Sequence, residues 1–225
     1  MWVIMIGKGS LSQLGDLLAV RRKAQAGPAV FFLDHYFEGK DLASRLPMES
    51  RDMLVYVDSS EEPTTEGVDA YTAQVKTFLQ GATPCAMLAF GGGCTMDTCK
   101  CVGNLLTNPG KAEDYQGWEL VKNPAPYKIA VPTLSGTGSE TSRTGIVCNE
   151  VRNIKLGMNS DFTMFDQVLL DPDLTASPAT SFFTQALIRI CTALRASRAP
   201  TATWWWTLWP KRPLTSASRF FFRQT

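Results

Sequence analysis

The sequence predicts an α/β protein organised around a doubly wound parallel sheet. Short, continuous apolar runs recur along most of the chain, and segments with helical periodicity separate them. Such runs are typical of strands that are buried on both faces of a parallel sheet. In addition, loops rich in glycine or hydroxyl residues follow two of the runs directly, and ligand sites of open α/β sheets lie at these strand ends.

The apolar runs predict five strands in chain order. They are "MWVIMI" at the N-terminus, Ala29–Asp34, Met53–Asp58, Cys85–Phe90 and Tyr127–Thr133. The first run is too short for a signal sequence or a membrane span. Between strands, "SLSQLGDLLAV" has leucines at helical spacing behind Ser10 as a predicted N-cap, and "TTEGVDAYTAQVKTFLQG" predicts an amphipathic helix that Gly81 ends.

Composition and charge narrow the class of protein. The 225 residues are 44% hydrophobic and 19% charged, which is typical of a packed globular core. The last acidic residue is Asp173, whereas seven Lys and Arg follow Pro178. A basic tail can bind nucleic acid or lipid, but these cations are scattered, so we expect neither nucleic acid nor membrane as a partner.

The six cysteines do not form the pattern of a disulfide framework, because Cys94, Cys99 and Cys101 crowd one predicted helix start. We therefore expect a reduced, cytoplasmic chain. A zinc site is also not expected, since the sequence has no C-x-x-C motif and His35 is its only histidine.

A glycine-rich loop follows the fourth apolar run. It reads "GGGCTMDTCK", from Gly91 to Lys100, and the next helix is predicted to open at about Thr95. Glycines let a ligand approach the backbone, and the free N–H groups of a helix start attract a pyrophosphate. Asp97 could cap this helix or bind a ribose. The alternative is a tight turn without a ligand, because the loop matches neither G-x-G-x-x-G nor a P-loop.

Two further strand ends carry polar groups. Asp34 closes the run Ala29–Asp34, where a carboxylate can accept a hydrogen bond from a ribose hydroxyl or a nicotinamide amide. The alternative is a solvated loop carboxylate, and His35 beside it is interpreted as a loop residue. "PTLSGTGSETSR", from Pro132 to Arg143, places four hydroxyl residues among glycines, which suits phosphate and ribose or simply forms a polar loop.

Together these stretches resemble the iron-dependent alcohol dehydrogenases. "GGGCTMDTCK" is similar to the family's GGGS-x-x-D-x-x-K signature, with Cys94 in place of the usual serine. "PTLSGTGSE" resembles its second cofactor loop, and "FDQVLLDPDL" resembles the strand that closes its nucleotide domain. "FEGK", "EEPTT", "EDYQGW" and "KLGMNSDFT" are most similar to the 3-deoxy-D-manno-octulosonate 8-oxidase branch. The resemblance extends from about Ile6 to Ser177, and it implies that the chain begins slightly inside the first strand.

The resemblance implies a Rossmann-like domain that binds NAD or NADP. The implied cofactor-binding residues are Asp34, Gly92, Gly93, Cys94, Asp97, Thr133, Ser135, Thr144, Lys155 and Leu174. It also implies a helical C-terminal domain that holds Fe²⁺ or Zn²⁺ through one aspartate and three histidines. That metal would polarise an alcohol or sugar-acid substrate while hydride passes to the nicotinamide. For the intact protein a homodimer is compatible with the family.

The metal ligands of the family are missing from this chain. After "LDPDLTAS" the family continues with G-x-D-x-x-x-H, but "FFTQALIRICTALRAS" stands here, without Asp or His. We therefore expect no catalytic residue and no metal ligand in the chain. The predicted division is a dinucleotide-binding α/β domain over residues 1–177 and a non-native tail over residues 178–225 in place of the helical metal domain.

A shift of reading frame explains the tail. Trp204–Thr207 must be encoded as TGG TGG TGG ACN, which contains Val-Val-Asp in another frame. The same shift permits Gly-Ile-Asp-Thr-Tyr-Leu-His-Cys, the missing metal motif, in place of "QALIRICTA". We expect this chain to be inactive. The alternative is a non-catalytic nucleotide-binding or interaction module with a Trp-rich contact tail, since tryptophan favours interfaces.

Overall fold

The computed structural model of the chain describes residues 2–134 and 136–175 and the backbone of the strand 218–222. Its strands are β1 (Trp2–Ile6), β2 (Ala29–Asp34), β3 (Met53–Val57), β4 (Ala86–Gly91), β5 (Gly117–Trp118), β6 (Lys128–Pro132), β7 (Thr144–Asn149), β8 (Ile154–Asn159), β9 (Gln167–Leu170) and β10 (Ser218–Phe222). Its α-helices are α1 (Leu14–Ala24), α2 (Asp41–Ser44), α3 (Thr65–Leu79) and α4 (Gly93–Thr107). Ser135 lies outside the described residues, and so does the predicted tail, residues 178–225, apart from the backbone of 218–222.

A seven-stranded sheet forms the centre of the protein. Its strand order is β10-β1-β9-β6-β4-β2-β3, and all the strands from β1 to β3 in this order pair in parallel. β10 adds to the outer edge of β1 in the antiparallel direction. The predicted doubly wound parallel sheet is thus confirmed, and the five predicted runs match β1, β2, β3, β4 and β6 to within one residue at each end. β9 lies in the stretch "FDQVLLDPDL" of the family resemblance, and β10 was not predicted.

Both faces of this sheet are covered, as its continuous apolar runs require. In β2, Val30 and Phe32 pack into a cluster with residues of α3 and α4, whereas Phe31 and Leu33 pack with residues of α1 and α2. All four of these β2 side chains are fully buried. Full burial of one such side chain stabilises the fold by about 1.5–3 kcal/mol, which is why every position of β2 is apolar until its last residue.

The start of the first helical segment differs from the prediction. Ser10 does not cap an α-helix; it opens a short 3₁₀ helix, Ser10–Gln13, and α1 begins only at Leu14. The carboxylate of Asp171 takes over the capping function, because it accepts hydrogen bonds from the N–H of Gly9 at 3.0 Å and of Leu11 at 2.9 Å. A distant carboxylate satisfies these N–H groups, so Ser10 is not needed as a cap.

A second, three-stranded sheet, with the order β5-β8-β7, was not predicted. β7 and β8 form an antiparallel pair from Thr144↔Asn159 to Asn149↔Ile154, and β5 pairs with β8 over two residues. The sheet packs against α4 through β7. Within the described residues, no helix is both long and apolar enough to span a bilayer.

Candidate nucleotide-binding cleft

Three parallel strands end at one place on the carboxyl edge of the large sheet. β2 ends in Asp34, β4 ends in Gly91, and β6 leads into Thr133, whose N–H donates to the carbonyl of Gly91 at 3.0 Å. The segment after β2 packs on the α1 face of the sheet, whereas α4, which follows β4, packs on the opposite face. This divergence creates the crevice in which open α/β sheets bind their ligands.

The glycine loop opens α4 directly into this crevice. α4 begins at Gly93, two residues before the predicted start, with Gly92 as its N-cap and no side-chain cap. The first N–H groups of this 15-residue helix therefore lack a side-chain acceptor, and they carry the positive end of the helix dipole. An anionic group fits such a helix start.

The loop after β6 lies so close to Gly92 and Gly93 that a side chain at either position would meet it. A Cβ atom on Gly92 would lie 3.0 Å from Cδ1 of Leu134, and one on Gly93 would lie 2.9 Å from Cγ2 of Thr137. Leu134 itself is 63% exposed and lines the mouth of the crevice. The two glycines therefore let the loop after β6 lie close against the start of α4. That they also cradle a pyrophosphate stays a prediction.

Gly91 has a different function from its two neighbours. A Cβ atom there would lie 2.5 Å from Oγ1 of Thr95 and 3.1 Å from Cβ of Asp34. A side chain on Gly91 would therefore meet α4 and the end of β2, and it would not point into open space. Gly91 therefore allows close packing of helix on strand.

Asp34 is not the solvated carboxylate of the alternative interpretation. It is only 7% exposed, and its Oδ1 accepts hydrogen bonds from the N–H of Tyr36 at 3.0 Å and from Oγ of Ser59 at 2.8 Å. Its Oδ2 lies 3.4 Å from Oγ1 of Thr95 on α4. His35 beside it accepts a hydrogen bond from the N–H of Ser59 at 3.1 Å, so the imidazole belongs to the loop, as predicted. A buried carboxylate thus lies at the crevice, and within the described part of the chain its Oδ2 atom has only one long hydrogen bond, to Thr95.

Cys94 stands in the first turn of α4, half-buried. Burial raises the pKa of its thiol, and the negative charges of Asp97, Glu62 and Asp34 raise it further. The thiol therefore stays protonated at neutral pH, and it offers a weak hydrogen-bond donor in place of a serine hydroxyl.

Asp97 does not cap α4, and the prediction that it could is wrong. Because the helix begins at Gly93, Asp97 falls in the second turn, beyond the free N–H groups. Its carboxylate instead accepts from Oγ of Ser139 and from the N–H of Ile146 at 3.2 Å. These contacts fasten α4 to the loop before β7. Whether a ribose also reaches Asp97 stays a prediction.

Lys100 is the last residue of the motif "GGGCTMDTCK", and the sequence alone predicts no function for it. It is fully buried, and its Nζ donates to Oγ of Ser139 at 2.9 Å, to Oγ of Ser142 at 3.1 Å and to the carbonyl of Thr144 at 2.9 Å. An ion pair with Asp97 at 3.5 Å completes the set. Burial lowers the pKa of Lys100, and the charge of Asp97 opposes this. The spacing of three residues between Asp97 and Lys100 was the available sequence signal.

The remaining predicted residues surround this centre. Thr144 donates from Oγ1 to Oδ1 of Asn159, and Lys155 forms an ion pair with Glu62. Leu174 follows β9 at the same edge of the sheet and packs on the α1 face. The structure thus brings Asp34, Gly92, Gly93, Cys94 and Thr133 together around one helix start, with Asp97, Thr144 and Lys155 on the side of the small sheet.

Metal-binding side chains do not converge in this region. Within residues 2–134 and 136–175, no three His, Cys, Asp or Glu side chains form a group that could hold a metal ion. These described residues therefore do not supply a site for iron or zinc.

Comparison with known proteins identifies the family. The model of the family "Iron-containing alcohol dehydrogenase" matches residues 3–172. The chain belongs to the iron-containing alcohol dehydrogenase family. Enzymes of this family are oxidoreductases that use NAD(H) and iron. The family-level resemblance in the sequence is thus confirmed.

The curated relatives that this chain matches are longer than the chain itself. The sulfoacetaldehyde reductase of Bilophila wadsworthia is 34% identical over 60% of this chain and 34% of its own length. The NAD-dependent methanol dehydrogenase of Bacillus methanolicus is 25% identical over 88% of this chain and 52% of its own length. The chain therefore spans about half of these relatives or less.

Solved structures of the family share the fold. The alcohol dehydrogenase of Oenococcus oeni superposes with a TM-score of 0.64 at 26% identity, over 76% of this chain and 44% of that one. The sulfoacetaldehyde reductase of Bifidobacterium kashiwanohense, solved with NAD⁺, gives a TM-score of 0.63 at 23% identity, over 77% of this chain and 45% of that one. The latter likeness concerns the fold alone.

Proposed function

We propose that this chain forms the NAD(H)-binding half of an alcohol dehydrogenase, in which hydride passes between an alcohol or aldehyde and the nicotinamide. The observation that carries this proposal is the uncapped start of α4, which opens at Gly92 and Gly93 between the ends of β2 and β6. Family membership supports the reaction class, and the convergence of the predicted residues supports the binding site.

In this proposal each part of the crevice binds one part of the dinucleotide. The glycine loop and the first N–H groups of α4 hold the pyrophosphate. Asp34 accepts a hydrogen bond from a ribose hydroxyl through Oδ2, the oxygen with the weaker protein contact. NAD is preferred to NADP, because a 2′-phosphate beside this buried carboxylate and the nearby Asp58 would meet like charge.

We further propose an acidic sugar, 3-deoxy-D-manno-octulosonate, as the substrate of the intact protein, oxidised at its eighth carbon. The branch-like stretches "FEGK", "EEPTT", "EDYQGW" and "KLGMNSDFT" support this. One relative acts on sulfoacetaldehyde, which is also an anionic substrate, and another on methanol. A panel of these three substrates, assayed with a frame-repaired chain, tests the choice; a preference for methanol would overturn it.

We also propose that the chain is out of frame after about Ser177. The loss of acidic residues, the run of tryptophans and the loss of the metal motif begin at this point. In the other frame the Asp and His of Gly-Ile-Asp-Thr-Tyr-Leu-His-Cys lie four residues apart, on one helix face. When bound, the metal would polarise the alcohol oxygen. The test is the nucleotide sequence around codon 177, and stop codons in the shifted frame would exclude the proposal.

Cofactor binding is tested by titrating the chain with NADH and following the fluorescence of the nicotinamide. We expect weak, saturable binding that Gly92→Val abolishes, because its branched side chain fills the cradle. Gly15→Val is the matched control, since a Cβ atom at Gly15 meets only Cβ of Pro47, at 3.8 Å. Binding that Gly92→Val leaves unchanged would overturn the proposed site.

Activity is tested separately. We expect no alcohol oxidation by this chain with added Fe²⁺ or Zn²⁺, because a catalytic metal needs about three protein ligands and an open position. A frame-repaired chain is the positive control. Oxidation by the present chain that survives a chelator would contradict both the proposed frame and the role of a metal in the intact protein.

A further inference from the structure

Two stretches that lie far apart in the sequence meet at the mouth of the crevice. Glu62, in "EEPTT", forms an ion pair with Lys155, in "KLGMNSDFT", across a separation of 93 residues. The second carboxylate oxygen of Glu62 accepts a hydrogen bond from Sγ of Cys148 at 3.1 Å. Both charged side chains remain about half exposed, at 56% for Glu62 and 53% for Lys155. The pair is therefore in reach of a ligand that enters the crevice.

The backbone that carries Glu62 is fixed on both sides of it. This segment, residues 58–64, is called the strap below. Near its start, Oγ of Ser59 donates to Oδ1 of Asp34 at 2.8 Å. Near its end, the carbonyl of Pro63 accepts from the N–H of Cys148 at 2.8 Å. The strap thus leaves β3, passes the end of β2 and reaches the small sheet, and it presents its carboxylate from a defined position.

The charges around the helix start show why a held cation matters there. Three carboxylates, those of Asp97, Glu62 and Asp34, act on the thiol of Cys94 in the glycine loop. Lys155 is an exposed cation that interacts with the same thiol. Because Glu62 is paired with Lys155, the carboxylates that repel an anionic dinucleotide here are those of Asp34 and Asp97, and a cation held close by offsets their repulsion. Lys155, on β8, can supply this cation.

We propose that Glu62 is a positioning residue that holds the ammonium group of Lys155 at the crevice, ready for the dinucleotide. This inference rests on the NAD(H) binding proposed above. A free lysine side chain loses its rotamer freedom when a ligand fixes it, and an ion pair formed beforehand has already restricted it. Because an exposed ion pair contributes little to folding, removal of Glu62 reduces cofactor affinity and leaves stability almost unchanged.

The test compares NADH affinity in four proteins: the wild-type chain, Glu62→Gln, Lys155→Met and the double variant Glu62→Gln/Lys155→Met. We expect Glu62→Gln to weaken binding by about two- to tenfold, the cost of one newly immobilised side chain. Lys155→Met weakens it at least as much. The double variant binds no more weakly than Lys155→Met, because Glu62 acts through Lys155.

A charge exchange, Glu62→Lys/Lys155→Glu, separates positioning from simple bracing. It restores an ion pair between the strap and β8, and we expect a wild-type thermal midpoint, but the cation now lies on the strap and NADH affinity stays low. Recovery of affinity in this exchange, or additive losses in the double variant, would overturn the proposal.

The proposed function and the present inference fail in different ways. If the wild-type chain binds NADH and Gly92→Val does not, the cofactor site stands, and wild-type affinity in Glu62→Gln would then refute the positioning role alone. If the wild-type chain itself binds no NADH, both are refuted together.

Discussion

The first turn of α4 and the two turns after it belong to one short sequence motif, yet their polar groups differ in exposure and in hydrogen-bond partners. In the first turn, Gly92 and Gly93 leave the helix start without a side-chain cap, and Cys94 is only half-buried. In the next two turns, the side chains of Asp97 and Lys100 form hydrogen bonds with other protein groups, and Lys100 is fully buried. One part of the helix is open to a ligand, and the other holds the two sheets together.

This difference shows that polar residues next to a ligand loop are not all ligand residues. The two sheets touch through β7 and α4, and Lys100 supplies donors to Ser139, Ser142 and Thr144 in the connection between them. These contacts anchor the helix that follows the glycine loop. In the proposed site, binding and support are thus divided along one helix.

The division is tested most strongly at Lys100. Replacing it by methionine leaves the carboxylate of Asp97 without its cation and removes the three hydrogen bonds of a buried ammonium group. We expect Lys100→Met to lower the free energy of unfolding by about 3–5 kcal/mol, measured by urea denaturation. Lys155→Met is the control, because it removes a lysine from an exposed ion pair, and its stability should match the wild type. Equal effects of the two substitutions would contradict the division.

A second test uses pH at the buried thiol of Cys99. Burial raises the pKa of Cys99 from 9.0 to about 12. As the pH rises, the unfolded chain therefore loses this proton before the folded chain does. The stability that the buried, protonated thiol contributes to the folded state is complete below about pH 9. It is lost between about pH 9 and pH 12, at about 1.4 kcal/mol per pH unit. We expect the advantage of the wild type over Cys99→Ala to shrink over this range.

The comparison with Cys99→Ala is necessary because buried lysines act in the opposite direction. Burial lowers the pKa of Lys100 and of Lys128, so these groups favour the folded state as the pH rises. Taking the difference between two proteins that share both lysines removes the part of their effect that does not depend on Cys99. A difference that stays constant with pH would indicate that the Cys99 thiol is open to water.

The smallest expected effect separates two neighbouring glycines. Gly91→Ala places a methyl group 2.5 Å from Oγ1 of Thr95, so we expect a loss of about 1–3 kcal/mol of stability from overpacking. Gly92→Ala meets only the exposed, movable end of Leu134, so its thermal midpoint should stay near that of the wild type while NADH binding weakens. The reverse assignment of effects would show that the cradle begins one residue earlier.

Sequence reasoning located the large sheet because its strands are buried on both faces. β2 matches the predicted run Ala29–Asp34 in full, and β4 differs by one residue at each end. The small sheet was not predicted because its strands lack such runs: β5 has two residues, and β7 alternates buried and half-buried positions. Its strands form because α4 offers a surface for them, and this surface exists only in the folded protein.

The candidate site was predictable where it depends on strand ends and glycines. Gly92, Gly93 and Asp34 lie where a parallel sheet must bring them. The sequence allows Asp97 to cap the helix or to bind a ribose, and the first option is wrong because a helix start that shifts by two residues moves Asp97 out of the first turn. The partnership of Glu62 with Lys155 had no local signal, since 93 residues separate the two.

Asp171 has a consequence for the order in which this chain folds during synthesis. Its carboxylate satisfies the N–H groups of Gly9 and Leu11, and the neighbouring β9 pairs with β1. The opening turn of the protein is therefore completed only after the 160 residues that follow Leu11 have been made. Contacts of such long range slow folding. Until then the edge of β1 stays unpaired in the nascent chain, where chaperones or a foreign strand have access to it.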